Sequence, residues 1–158
     1  MRQNPKDKIK FFAILLFYLM SNLAYGAEFE FRFKKRILSD TYNLHIINHS
    51  LKRAVEFDFS NAENYYAQLN NGEKIKIGSK IFEIPSNSLV CIEPGTKGYI
   101  SFEIPKSIMQ NAKEIIFKGM SYTPRYEGSF LYTEDAFGLT VIVDVAKGTI
   151  RVTETEVQ

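Results

Sequence analysis

One cysteine, two histidines and no tryptophan in 158 residues exclude several chemistries at once. A lone thiol builds neither an internal disulfide framework nor a multi-thiolate metal site. No basic run is longer than Lys34-Lys35-Arg36. Four of the 20 Lys and Arg and one of the 18 Asp and Glu fall in the first 26 residues, which leaves 16 basic against 17 acidic groups in the rest. The pI near 8.5 is therefore a property of the leader. A near-neutral body lacks the concentrated positive face that phosphate binding needs, which argues against a nucleic-acid partner. Glycine-rich phosphate loops and serine-hydrolase elbows are missing from the sequence. His45 and His49 are four apart, a spacing that unites side chains on a helix; on a strand they stand roughly 13 Å apart, too far for one ion. Glu28, Glu30, Glu56 and Asp58 alternate with apolar residues as charges on a solvated sheet face. Neither an enzyme nor a cofactor is expected, and no catalytic or metal residue is assigned.

The N-terminus is informative. Residues 1–10 are basic and polar, Phe11 to Met20 is unbroken apolar, and Ala24, Gly26 and Ala27 are small. This is the three-part pattern of a signal peptide, with cleavage expected after Gly26. Ten apolar residues span about 15 Å as a helix, half a hydrocarbon core, so no membrane span is expected in the mature form. The protein is expected to be exported, to the periplasm or outside the cell, as one domain over residues 27–158. Cys91, within the apolar run Leu89-Val90-Cys91-Ile92, is expected to be a buried and inert core thiol.

From residue 27 onward the hydrophobic period is two. Phe29, Phe31 and Phe33 alternate with Glu28, Glu30 and Arg32; Tyr42, Leu44 and Ile46 repeat the pattern, as do Val55, Phe57 and Phe59. Each set puts apolar side chains on one face of a strand. Asn70-Asn71-Gly72 is the best local hairpin signal. Gly78-Ser79 interrupts, Lys80 to Ile84 reads as a short strand stopped by Pro85, and Leu89 to Ile92 stops at Glu93-Pro94-Gly95. Ile100, Phe102 and Ile104 form a further strand before Pro105. Residues 106–112 can make one helical turn with Ser107 as its cap. Ile115 to Phe117 begins another strand, Tyr122 to Gly138 is the least regular stretch, and Leu139, Val141 and Val143 lead through a three-residue loop, Ala146-Lys147-Gly148, to Ile150 and Val152. Nine or ten short strands at this spacing predict an all-β, immunoglobulin-like antiparallel β-sandwich, with a β-barrel as the alternative.

Function is then expected at the surface. Tyr122, Arg125 and Tyr126 concentrate the residue types of interface anchors, and Tyr65 and Tyr66 add a second aromatic pair, of which at most one can face the core. The order Asn48-His49-Ser50, Val55 to Ser60, Tyr65 to Leu69, Asn71-Gly72, Ile81-Phe82 and Leu89 through Glu93-Pro94-Gly95 resembles the BsuPI-type proteinase inhibitor family over residues 44–104. The resemblance implies a seven-stranded immunoglobulin-like domain that binds a protease or another protein through loops at one end. The expected function is that of a small protein-binding module, in its narrower form a proteinase inhibitor. The alternative is a structural subunit of an envelope or secretion assembly that pairs with a neighbour by strand addition.

Overall fold

The computed structural model of the chain describes residues 28–37, 39–79 and 89–157. The expected signal peptide and the expected strand at 80–84 lie outside them. Among the described residues eleven strands form two antiparallel sheets, the sandwich expected from the alternation rather than a closed barrel. In the four-stranded sheet β1 (Phe29–Lys35) pairs with β2 (Thr41–Asn48), β2 with β8 (Lys97–Glu103), and β8 with the two-residue β6 (Gly78–Ser79). The seven-stranded sheet runs β11 (Thr149–Glu156), β10 (Phe130–Asp144), β9 (Ala112–Glu127), β3 (Ala54–Asp58), β7 (Leu89–Ile92). Strand β4 (Tyr65–Leu69) also lies against β9, and β5 (Lys74–Lys76) pairs with β4.

The alternating residues meet between the two sheets. Leu44, Ile46, Val55, Phe57, Phe102, Ile115, Phe117 and Val141 are fully enclosed. Each large side chain taken from water in this way stabilises the fold by about 1.5–3 kcal/mol. Rings from both sheets interlock at the centre: Phe102 lies 4.8 Å from Phe117 and 5.5 Å from Phe59, and Phe31 meets Phe57 edge-on at 6.3 Å. Edge-on and tilted geometries of this kind set the ring quadrupoles favourably.

Strand β9 organises its sheet because one of its edges serves two partners. Its first half pairs with β4 through Phe117, and β3 takes over from Met120 to Tyr122. Gly119 sits at the handover. A Cβ there would collide with the Glu56 carbonyl oxygen and with the Phe57 ring at 2.7 Å, so only glycine lets β3 approach this closely.

Four local expectations are corrected. Gly78-Ser79 is not an interruption but a strand that carries the chain across to the other sheet. Helix α1 (Lys106–Asn111) starts from Pro105 with no side-chain cap, and the Ser107 carbonyl accepts a bond from Asn111 Nδ2 at 2.8 Å. The last hairpin loop has four residues, 145–148, because Asp144 pairs with Thr149 and caps the turn by accepting from the Lys147 N–H at 3.0 Å. Tyr122 to Gly138 is regular: it belongs to the longest hairpin in the described structure.

Candidate functional site

The loops β2–β3 and β7–β8 and the tip of the β9–β10 hairpin share one pole of the sandwich. The tie between the first two is Asn48, which is fully buried. Its Nδ2 donates to the carbonyls of Arg53 at 2.7 Å and of Ile92 and Glu93 at 3.1 Å, while Oδ1 accepts from the Ser50 N–H at 3.0 Å. A buried amide whose donor and acceptor are both engaged specifies one loop conformation. The Gly95 N–H reaches the Ser50 carbonyl at 2.9 Å, and Gly95 takes φ +70°, the left-handed geometry the Glu93-Pro94-Gly95 turn requires. Leu51 is left standing almost fully exposed at the tip of this loop pair.

Among the described residues no third strand pairs with the β9–β10 hairpin beyond Tyr122 and Phe137, and it continues there as an arm. Five paired residues per strand give it a length of about 17 Å. Gly128, with φ +64°, supplies the first position of a two-residue type II′ turn. The base of the arm is marked by a bulge between Glu134 and Phe137, where Asp135 takes φ +49°. Directly opposed residues share a face, so Tyr126 with Leu131 lies on one side and Arg125 with Tyr132 and Glu127 with Phe130 on the other. Both sides face solvent: Phe130 is 69% exposed, Tyr126 64%, Leu131 50% and Tyr132 49%. Arg125 is held between Glu127 at 3.0 Å and Glu134 at 2.7 Å. With Asp135 the arm carries a net charge of −2.

Next to the arm the two sheets are pinned together at their free edges. Arg53, with a side chain 17% exposed, forms ion pairs with Glu28 at 2.9 Å before β1 and with Glu154 at 2.8 Å on β11. It also donates to Ser121 Oγ, which in turn donates to Glu154 at 2.8 Å. The guanidinium lies between the rings of Phe29 and Phe137, 5.2 and 4.9 Å from their centres. Its pKa is raised: burial disfavours the charge, and the bonds and charges of Glu154 and Glu28 outweigh that effect.

Two of the five expected contact residues belong to this surface, Arg125 and Tyr126. Tyr65 (4% exposed) and Tyr122 (3%) are interior residues, and this corrects their assignment as surface contacts. Tyr65 packs edge-on against Phe59 at 5.2 Å. Tyr122 donates to Glu56 at 3.2 Å and lies 3.6 Å from Cys91 Sγ; burial first, then Cys91 and Glu56, pushes its phenol well above the ordinary range. Tyr66, as the alternation requires, faces the other way from Tyr65 and is half-buried under Lys74 and Lys118. The sequence reasoning missed Phe130, Leu131 and Tyr132, whose signal was three large apolar side chains beside a Gly128-Ser129 turn.

Cys91 is exposed, because β7 alternates and turns Val90 and Ile92 inward instead. Its thiol is nonetheless pushed up, chiefly by desolvation and further by Glu93 and Glu56. His45 lies against Tyr99 at 5.6 Å, and His49 reaches Glu30 at 3.3 Å, so the two rings have separate partners. Among the described residues no three His, Cys, Asp or Glu side chains are grouped as metal ligands, and no helix is long and apolar enough to cross a membrane. No protein-family model, curated protein or solved structure matches the chain.

Proposed function

We propose that the chain is an exported protein-binding module that engages its partner through the arm and the loop pair beside it. The observation that carries this reading is the set of large apolar side chains, Tyr126, Phe130, Leu131 and Tyr132, held in water on a paired hairpin. Tyr and Phe bring large contact area at low ordering cost, and a hairpin with fixed register presents them already arranged. Their place in water is costly unless a partner covers them. A signal-peptide pattern at the N-terminus supports export. The resemblance to BsuPI-type inhibitors supports a proteinase as the partner class.

The test is a panel of serine and cysteine proteases challenged with the purified protein at micromolar concentration. Inhibition is expected with the wild type and not with a Tyr126→Ser, Phe130→Ser, Tyr132→Ser variant of unchanged melting temperature. If no protease is slowed, the inhibitor form is retired. If the variant inhibits as well as the wild type, the arm is not the contact surface.

The free backbone along both sides of the arm supports a second reading, a subunit of an envelope or secretion assembly joined by strand addition. In that case the protein fractionates with envelope partners, and shortening the arm to a two-residue turn after Thr123 releases it.

A further inference from the structure

The flank of the sandwich that Arg53 closes at one pole is open at the other. There a cleft of about 530 Å³ lies between β1 and the β10–β11 hairpin. Its floor is apolar, made by Phe31, Phe33, Tyr42, Val143, Val145 and Ile150. Arg32 and Lys35 stand on its rim. Arg32 is paired with Glu30 at 2.5 Å; Lys35 lies over the Tyr42 ring at 5.7 Å, has Asp40 at 3.9 Å, beyond hydrogen-bond reach, and keeps half of its side chain exposed. This end of β1 carries Arg32, Lys34, Lys35 and Arg36 against Glu30 and Asp40, a net of +2. On the facing wall Asp144 is already occupied by the side chain and backbone of Lys147.

Among the described residues the molecule therefore presents two open surfaces of opposite character at opposite poles: an acidic arm tipped with Phe130, Leu131 and Tyr132, and an apolar cleft with a basic rim. We propose that the cleft receives the arm of a second copy of this chain. The inference rests on the reading of the arm as a contact surface and names its occupant. Charge selects this occupant: an arm of net −2 is repelled by an anionic lipid surface and attracted to the +2 end of β1. Apolar side chains entering a cleft with a few charged groups at its mouth match the usual build of a binding site. An arm and a cleft at opposite poles cannot meet within one copy, and the contact uses a different patch on each partner. It is thus a head-to-tail interface, which propagates as an open chain unless the rotation closes a ring.

Two variants test this, each changed only at exposed positions, with folding checked by circular dichroism. Phe130→Ser with Leu131→Ser spoils the arm and leaves the cleft; Arg32→Glu with Lys35→Glu reverses the rim and leaves the arm. Mass is measured by light scattering after size exclusion across a hundredfold range of concentration, at low and at high salt. The wild type is expected to grow beyond a dimer with concentration and less so at high salt. Each variant alone stays monomeric, and an equimolar mixture forms a 1:1 dimer and nothing larger. A wild type that stays monomeric throughout, a variant that associates as the wild type does, or a mixture that remains monomeric overturns the proposal. Should that happen while arm substitutions still abolish binding of a protease, the arm's partner is a foreign protein and the functional reading stands.

Discussion

Replacing Arg53 with Met tests whether the edge-to-edge pin holds the two sheets together. The substitution keeps an apolar stem of similar length and deletes the charge. Two ion pairs are lost, with carboxylates that are 46% and 34% exposed, and each contributes about 0.5–1 kcal/mol after solvent screening. Two guanidinium–ring contacts add about 0.5–1 kcal/mol each. Against this, Arg53 Nε is buried without a hydrogen-bond partner, and removing it relieves a penalty of about 1 kcal/mol. The net loss is about 1–3 kcal/mol, which lowers the melting temperature by roughly 3–10 °C. Arg53→Lys suffers nearly as much, because one ammonium cannot serve Glu28, Glu154 and Ser121 in a fixed fork. Thermal unfolding followed by circular dichroism measures the loss, and a double-mutant cycle with Glu154→Gln isolates the coupling. Hydrogen exchange is expected to quicken selectively in β11. Wild-type stability for Arg53→Met, together with zero coupling to Glu154, would refute the argument.

Three further outcomes are expected. Gly119→Ala forces β3 away from β9 and costs about 1–3 kcal/mol by urea denaturation, whereas the same change at the open Gly128 reads out only the backbone strain of its positive φ. Burial first, then Lys34 and Arg32, holds the His45 imidazole below its ordinary value, so the folded protein takes up that proton less readily than the unfolded chain. Stability is accordingly full above about pH 6.5 and declines as pH falls through the folded pKa; His45→Gln flattens that part of the curve of urea midpoint against pH. Cys91, although exposed, reacts with iodoacetamide more slowly at pH 7.5 than a free thiol, and its rate rises over a more alkaline range than the usual value of about 8.5.

The strands whose one face is buried were legible in the sequence because burial writes period two into it. Phe29, Phe31, Tyr42, Leu44, Ile46, Val55, Phe57 and Phe59 all point inward as their alternation requires. The Asn70-Asn71-Gly72 reversal was legible too, since Gly72 takes φ +87° there. The arm was not. Water bathes both its faces, so nothing imposes an alternation on residues 123–134, and a regular hairpin looked like an irregular loop. Tyrosine gave no direction on its own, since Tyr65 and Tyr122 fill the core while Tyr126 and Tyr132 stand outside it. Arg53 could not be assigned at all, because its partners Ser121 and Glu154 are 68 and 101 residues away along the chain.

The meander from Ala112 to Glu156 consists of sequence neighbours joined by short turns, whereas β2 finds β8 only after more than forty intervening residues. Closing small loops is fast and large ones slow, which makes the meander the natural nucleus and the β2–β8 seam the late event. Until the seven-stranded sheet is in place, the β1–β2 hairpin waits with Phe29, Phe31, Leu44 and Ile46 uncovered, because that sheet supplies the face that buries them. The stretch of synthesis between Asn48 and the end of the meander at Glu156 is thus the interval in which a nascent copy most needs a chaperone to keep it from its neighbours.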